Sequence, residues 1–462
     1  MLHSYPEYRE TGYDWLFNVP SQWTRTPIRT LLGLSDSRCG TRTSLELLSV
    51  YREYGVIKKN SRDDNHNVES QDLSNYKYVD KGYLVMNKMK MWQGSLGISE
   101  CEGIVSPAYI VCRLNTDSNL KYIHLLLRSS KFKTFFNRIS YGIRVGQWDM
   151  RYDDFKKLYI YLPSRPEQDK IVSFLSWKTS EIAHFIKEKH KVISLLEELK
   201  NSLIFHAAIN GVRQSASMSD CSVDWISAIP THWDEVMLFQ CAAEQSISNK
   251  TEHHQNLLSL SYGKIVNKDI NTAEGLLPAS FDTYQIVHDG NVILRLTDLQ
   301  NDHKSLRVGL STQTGIITSA YTCLKARDNI LPEYLYYLLH AYDVSKVFYG
   351  MGGGVRQSIG YADIRRMVIP LPPMEEQREI VDYCREEQAK IEQMIAGIKD
   401  EIDLVQELRT KTISDVVTGR VDVRDVEIPQ YEPESDDTID DEEETDEDSD
   451  EDNSDAADEE VE

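Results

Sequence analysis

The stretch Leu162–Leu175, LPSRPEQDKIVSFL, returns in a looser copy at Leu371–Cys384, LPPMEEQREIVDYC. Both copies set Leu-Pro before an acidic turn, then Glu-Gln, then an Ile-Val pair, and the two lie 209 positions apart. Upstream, Asp14, Trp15, Pro20 and Trp23 recur as Asp224, Trp225, Pro230 and Trp233. Leu47-Leu48-Ser49-Val50 recurs as Leu257-Leu258-Ser259-Leu260. The run Gly103-Ile104-Val105-Ser106-Pro107-Ala108-Tyr109 recurs as Gly315-Ile316-Ile317-Thr318-Ser319-Ala320-Tyr321, and Tyr122 with Leu125-Leu126 as Tyr334 with Leu338-Leu339. Matches that keep their order and spacing over this distance make the chain a tandem duplication, with small drifts in offset marking loop insertions.

Each unit has two parts. The first is a stretch of mixed pattern. Its short β-like runs, such as Leu47–Val50, Tyr83–Met86 and Tyr109–Cys112, are bounded by Gly, Asn and Asp, and one helical stretch spans Lys121–Asn137. This predicts a compact α+β domain. The second part follows the quoted motif. Ser164 with Glu167 three residues later has the spacing of a capping box, and a long helix begins. Ile182, Ile186, Lys189, Ile193 and Leu196 step by alternating fours and threes, as do Ile391, Ile395, Ile398, Ile402 and Val405. That is a narrow heptad seam. A helix running nearly forty residues without Pro would be about 60 Å long. Gly211 and Gly419 stand where C-terminal caps belong. A narrow seam needs a partner, and the other copy supplies one, which predicts an antiparallel pair with pseudo-twofold symmetry. Lys189 interrupts the seam at the position equivalent to Ile398, where a polar residue can fix register.

Charge is uneven along the chain. The formal net charge is −23 over 462 residues, but Glu434–Glu462 holds 19 Asp and Glu and no Lys or Arg, leaving about −4 for everything before it. With so little apolar surface, this tail is expected to be disordered. Seven scattered cysteines without a C-x-x-C pair argue against a disulfide framework or a zinc site and fit a reducing cytoplasm. No eighteen-residue apolar run and no signal-peptide layout is present, so no membrane partner is expected.

Catalytic signatures are lacking: no P-loop, no H-E-x-x-H, no amino-methyltransferase [ND]-P-P-[YF] motif. Nucleic-acid features are better represented. Lys121–Lys157 carries nine Lys and Arg against three Asp. Arg144 and Gln147, beside Trp148, occupy the loop after the helix, and Arg356 and Gln357 the comparable loop of the second copy. Arg and Gln can donate in bidentate fashion to guanine and adenine. Asn87, Lys88, Lys90, Trp92 and Gln93 mix charge, amide and aromatic groups, with Arg295 standing where the first copy has Asn87. Lys58, Lys59 and Lys264 follow the two Leu-Leu-Ser segments. Framework residues repeat while these polar loops differ, so two readers would read two different half-sites.

Together these residues resemble the specificity subunit of type I restriction–modification enzymes over roughly residues 11–428. The carrying features are the Leu-Pro…Glu-Gln motifs at Leu162–Gln168 and Leu371–Gln377, the Asp-Trp…Pro…Trp starts and Gly103–Tyr109. The resemblance implies an α+β architecture of two tandem target recognition domains, 11–162 and 221–371, each followed by a helical spacer, 163–213 and 372–425, with the acidic tail at 431–462. It implies a non-catalytic subunit that reads a bipartite site in double-stranded DNA and holds two methyltransferase subunits and, in most systems, restriction subunits. No cofactor is expected on this chain; S-adenosylmethionine, ATP and Mg are expected on the partners. A stand-alone DNA-binding scaffold or regulator is the alternative. The acidic tail departs from the family pattern. A solubilising role and a transient cover over the basic reader surfaces both stay open.

Overall fold

The computed structural model describes residues 3–40, 44–52, 54–61, 73–142, 148–213, 216–223, 225–250, 254–269, 280–299, 302, 305–351 and 358–434. Of the sequence-derived sites, Arg144, Gln147, Arg356 and Gln357, and the tail from 435 onward, lie outside the described residues. The chain divides into two compact units, Met1–Glu188 with Asp400–Asp440, and a second built on Lys189–Lys399.

In the first unit, β1 (Leu32–Ser35), β2 (Leu84–Met86), β3 (Leu96–Ile98) and β4 (Ile110–Leu114) form an antiparallel sheet in the order β1-β4-β2-β3. The inner strands β2 and β4 are rich in β-branched and aliphatic residues because both faces are covered, and Leu84, Val85, Met86, Val111 and Cys112 are fully buried. Two helices follow, α1 (Leu120–Arg128) and α2 (Ser130–Ile139). The sequence predicted one helix here. Ser129 breaks it by adopting extended backbone, and its hydroxyl donates to the Leu126 carbonyl at 2.8 Å, closing α1. The Asn119 side chain caps the start of α1 by accepting from Tyr122 N–H at 3.2 Å. A further strand pair, Thr24–Pro27 with Tyr159–Leu162, closes the reader and leads directly into α3 (Arg165–Asn210). Pro166 sits in the first turn of α3, where its missing N–H costs nothing.

The second unit repeats this plan. Strands β5 (Ala242–Glu244), β6 (Asn291–Leu294), β7 (Val308–Leu310) and β8 (Thr322–Ala326) are ordered β5-β8-β6-β7. Helix α4 (Pro332–Val344) opens with Pro at its first position, and the pair Asp234–Met237 with Val368–Leu371 leads into α5 (Met374–Val417). The smaller features recur as well. Leu47 bridges Ile104 in parallel as Leu257 bridges Ile316. Trp15 meets Phe132 edge-on at 5.0 Å as Trp225 meets Tyr342 at 4.5 Å.

The quoted motif now has a physical meaning. Gln168 and Gln377 are buried, and each lies between a long helix and its reader. Gln168 donates to the Pro163 carbonyl at 3.0 Å and accepts Asn119 N–H at 2.8 Å. Gln377 donates to the carbonyls of Pro372 (2.9 Å) and Asn329 (3.1 Å) and accepts Leu331 N–H at 2.8 Å. The preceding Glu167 does not complete a capping box. Its carboxylate accepts from Trp23 Nε1 at 2.9 Å and Tyr5 OH at 2.8 Å, because a buried carboxylate needs strong donors more than the helix end needs a second cap. Its counterpart Glu376 faces His232 Nε2 at 2.7 Å.

Each joint also receives the end of the other long helix. Fully buried Tyr122 donates its hydroxyl to the Val417 carbonyl at 3.0 Å, and Tyr334 to the Ala208 carbonyl at 3.0 Å. The caps Gly419 (φ 77°) and Gly211 (φ 75°) are left-handed, as the sequence predicted. A Cβ on Gly419 would meet the Pro20 ring and lie 2.9 Å from Trp23; one on Gly211 would lie 3.1 Å from Trp233. The repeated Trp, Gln, Tyr and Gly therefore belong to one joint, built twice.

Burial of the ten expected seam residues on α3 and α5 is uneven. Ile186, Ile391, Ile395 and Ile402 are buried, and Ile182, Lys189, Ile193, Leu196, Ile398 and Val405 are half-buried. Off the seam, Leu195, Leu199, Leu404 and Leu408 are exposed. The start of the acidic segment is ordered against α3. Ser180 Oγ lies 3.1 Å from the Glu432 carbonyl and accepts Glu434 N–H at 2.7 Å, and Lys187 pairs with the Glu434 carboxylate at 2.5 Å. No helix among the described residues is long and apolar enough to cross a membrane.

Two predictions follow from the joints and the sheet edge. Gln168→Ala strands the Asn119 N–H and the Pro163 carbonyl, and should destabilise the first unit by roughly 1–3 kcal/mol, read by hydrogen exchange of α1 amides. Gln377→Ala should do the same to α4 alone. The second prediction concerns acid. His124 Nδ1 accepts Ile98 N–H at 3.1 Å, and burial, reinforced by Arg128 and Lys121, pushes its pKa down to about 3. A depressed histidine contributes stability that is complete above its unfolded value near 6.5 and is lost as pH falls toward 3. The first unit should lose about 1.4 kcal/mol per pH unit across that window in urea melts. His124→Asn, which keeps an acceptor for Ile98, should flatten the slope.

Candidate nucleic-acid interface

In the first reader the polar loop between β2 and β3 is closed by its own backbone. Lys90 N–H donates to Asn87 O and Gln93 N–H to Lys90 O, each at 3.0 Å, and Gly94 N–H to Met91 O at 2.8 Å. Ser95, just before β3, completes it: Asn87 N–H donates to the Ser95 carbonyl at 3.0 Å. The loop meets the residues from Trp148 to Met150. Met150 N–H donates to the Lys88 carbonyl at 3.0 Å, Lys88 Nζ lies 3.4 Å from Asp149, and the Trp92 and Trp148 rings stand 5.0 Å apart. Asp149–Met150 pairs in turn with Ser140–Tyr141 as an antiparallel strand pair. Asn87, Lys88, Lys90, Trp92 and Gln93 are thus gathered beside Trp148–Met150, with Lys90 exposed and Trp92 half-buried.

The second reader brings the equivalent loops together by the same backbone contact, Ile359 N–H to the Leu296 carbonyl at 3.0 Å. Arg295 N–H donates to the Arg307 carbonyl at 2.9 Å, matching the bond between Asn87 and Ser95. The loop is four residues longer than its counterpart, since Arg295 lies 208 positions after Asn87 but Arg307 lies 212 after Ser95. A self-closing turn gives way here to a side chain. Arg307 is completely buried, and its guanidinium donates to the carbonyls of Thr297 (2.7 Å), Arg295 (3.2 Å), Asp298 (3.3 Å) and Asp302, and to Tyr349 OH at 2.9 Å. Its backbone N–H donates to Asp343 Oδ2 at 2.6 Å. Burial pushes the Asp343 carboxyl up to about 6, although the Arg307 N–H and nearby cations pull the other way. Arg307, Asp343 and Tyr349 are not among the residues expected from sequence. The available signal was one arginine set among Leu306, Val308 and Leu310, in a stretch where the first copy has no charge.

The other predicted lysines have neighbours of their own. Lys58 lies 3.3 Å from Glu46, Lys59 is half-buried, and Lys264 ties its hairpin to α5 through Glu392 at 2.9 Å. The basic excess of Lys121–Lys157 is partly internal too. Arg128 donates to the Leu96 carbonyl at 2.6 Å and the Arg52 carbonyl at 2.8 Å, Arg138 pairs with Asp14, and Lys156 and Lys157 pair with Asp153 and Asp154. Among the described residues no group of three or more His, Cys, Asp or Glu is placed to hold a metal ion.

Two polar loop pairs on one repeated frame are a recognition geometry, and known proteins carry the same frame. The family model for the type I restriction modification DNA specificity domain matches residues 20–194 and 308–403. The chain is 23% identical over 309 residues to the protein named type I restriction enzyme MjaX specificity subunit of Methanocaldococcus jannaschii, covering 66% of this chain and 68% of that one. A chain from a structure describing assembly and conformational transition of the type I R-M system superposes with a TM-score of 0.56 at 14% identity, covering 87% of this chain and 99% of that chain. With the family model spanning more than half of its length, this chain belongs to the type I restriction–modification DNA specificity family, the DNA-recognition component of such systems rather than the catalytic one.

Proposed function

We propose that this chain reads a bipartite, asymmetric site in double-stranded DNA, one half with each reader, and holds two methyltransferase subunits over it. The observation that carries the reading is the contrast between the readers. Their sheet order is the same, while the loops at Asn87–Gln93 and Arg295–Leu299 differ in length, charge and support. A fixed frame with unlike loops presents unlike donor and acceptor patterns to the major groove. Lys88, Lys90, Trp92, Gln93 and Arg295 are the described members of that surface, with Arg144, Gln147, Arg356 and Gln357 assigned to it from sequence.

The long helices act as the ruler in this proposal, paired antiparallel along their seams. Support comes from the buried seam residues and from both joints, where the start of one helix and the end of the other meet the same reader. Half-sites a helical turn apart on DNA would then meet two readers of pseudo-twofold relation. The chain contributes no bond-making group. The methyltransferase partners supply S-adenosylmethionine, and restriction subunits supply ATP and Mg chemistry, in the cytoplasm where chromosomal DNA is modified.

Co-expression with the cognate methyltransferase subunit in a host lacking modification, followed by sequencing of methylated adenine, tests this. A single split motif, methylated on both strands across a fixed gap, is the expected outcome; a stable complex that leaves the DNA unmethylated would refute it. Exchange of residues 14–162 for another reader should change one half-site only. Lys90→Ala should weaken binding of all sequences alike and lower the salt slope by about one, whereas Lys264→Ala should leave the slope unchanged because that ammonium is held by Glu392.

A further inference from the structure

We propose that Arg307 is the positioning residue of the second reader, setting the backbone of Arg295–Leu299 and so the base preference of one half-site. The inference rests on the DNA-reading role given above and adds a residue that would not touch DNA. The first reader needs no such residue, because its loop closes on itself through Asn87, Lys90 and Gly94. Four extra residues lengthen the loop of the second reader, and a turn bond from Asp302 N–H to the Asp298 carbonyl at 3.3 Å spans only part of it, leaving carbonyls for a side chain to bind. Arg307 answers this with one rigid fork of donors aimed at Arg295, Thr297, Asp298 and Asp302. Lysine has three donors on a point charge and cannot reproduce that spread.

The environment shows that the arginine is placed for this role. It is completely buried, which for a cation is costly unless every donor is used. Tyr349 orients it twice over, accepting from Nε at 2.9 Å and donating its own hydroxyl to the Asp302 carbonyl at 3.1 Å. Asp343 fixes the backbone at the root of the side chain. Asp298 is held with φ 55°, a left-handed conformation that a non-glycine residue adopts at a cost, and its carbonyl is one of those bound by Arg307. From below, Leu296 and Leu299 are buried and fasten the segment to the core. With its underside packed and its carbonyls turned inward, Arg295–Leu299 has one backbone course, with Arg295 half-buried at its start. At the positions of Arg307 and Asp343, 212 residues earlier, stand Ser95 and Lys131, so the device belongs to this reader alone.

The experiment uses the full chain in complex with its methyltransferase subunit, with Arg307→Lys and Tyr349→Phe beside the wild type. Methylation is measured on duplexes carrying single-base changes in either half-site, and hydrogen exchange is followed in the same complexes. Arg307→Lys should lower discrimination within the second half-site about tenfold or more, the scale of a base-pair preference, and leave the first half-site unchanged. Exchange should rise in 295–299 while β6 and β8 stay protected. Tyr349→Phe should move the same readouts in the same direction by a smaller factor. If Arg307→Lys also exposes β8, so that the reader itself has opened, Tyr349→Phe decides. Undiminished discrimination at the second half-site in the variant that keeps β8 protected overturns the proposal, as does an equal loss at both half-sites. A wild-type complex that methylates no split motif would instead overturn the specificity reading, independently of either variant.

Discussion

A buried carboxamide at the root of each long helix is the constraint on which the rest of the molecule depends. A glutamine side chain carries donors and an acceptor on one planar group, so it can bind a proline carbonyl behind it and a reader N–H in front of it at once. Neither contact tolerates a shift of much more than a few tenths of an ångström, because both ends are backbone. The reader is thereby fixed in angle to its helix, and the tryptophan, tyrosine and glycine of the joint pack around that fixed point. A hydrophobic contact of equal area would hold the two elements together without holding their orientation. For a protein that must present loops to an outside surface in register, orientation is what matters.

The duplication makes plain which parts of the frame can vary. The sheet order, the closing strand pair and the joint are kept in both copies, since each depends on backbone pairing over long sequence distances. The loops joining β2 to β3 and β6 to β7 have diverged in length. Divergence there requires a new means of satisfying buried backbone, and the two readers use different ones, turn hydrogen bonds in the first and an arginine fork in the second. Even the joint tolerates some drift. Trp23 donates to Glu167, whereas in the second copy Trp233 Nε1 and Glu376 Oε1 are both buried without a partner among the described residues, and His232 has taken the other carboxylate oxygen.

The frame was legible in the sequence because periodicity and repetition are properties of order along the chain. The long helices and their caps could be read from Gly211 and its counterpart Gly419 without knowing any distance. The interface was less legible, for a physical reason. A lysine or arginine in sequence carries only its charge, and its availability is decided by neighbours that folding brings in. Arg138 is matched by Asp14, more than a hundred residues away, and Lys264 by Glu392. Arg307 is the reverse case, a charge that sequence statistics place outside and that the fold places at zero exposure. The break at Ser129 was hidden for a third reason. Lys121–Asn137 keeps helical spacing across it, and only the conformation of one serine divides it.

The strand that closes each reader is also the last stretch of chain before its long helix. Thr24–Pro27 waits for Tyr159–Leu162, and Asp234–Met237 for Val368–Leu371, so both pairings span nearly a whole reader. Contacts of such separation form late in folding. During synthesis, the nascent chain therefore cannot seat its helix before the reader is whole, and the first joint stays incomplete until Val417 and Gly419 have emerged. A ribosome that stops early would release a reader with an unsatisfied Tyr122 and no helix end to receive it.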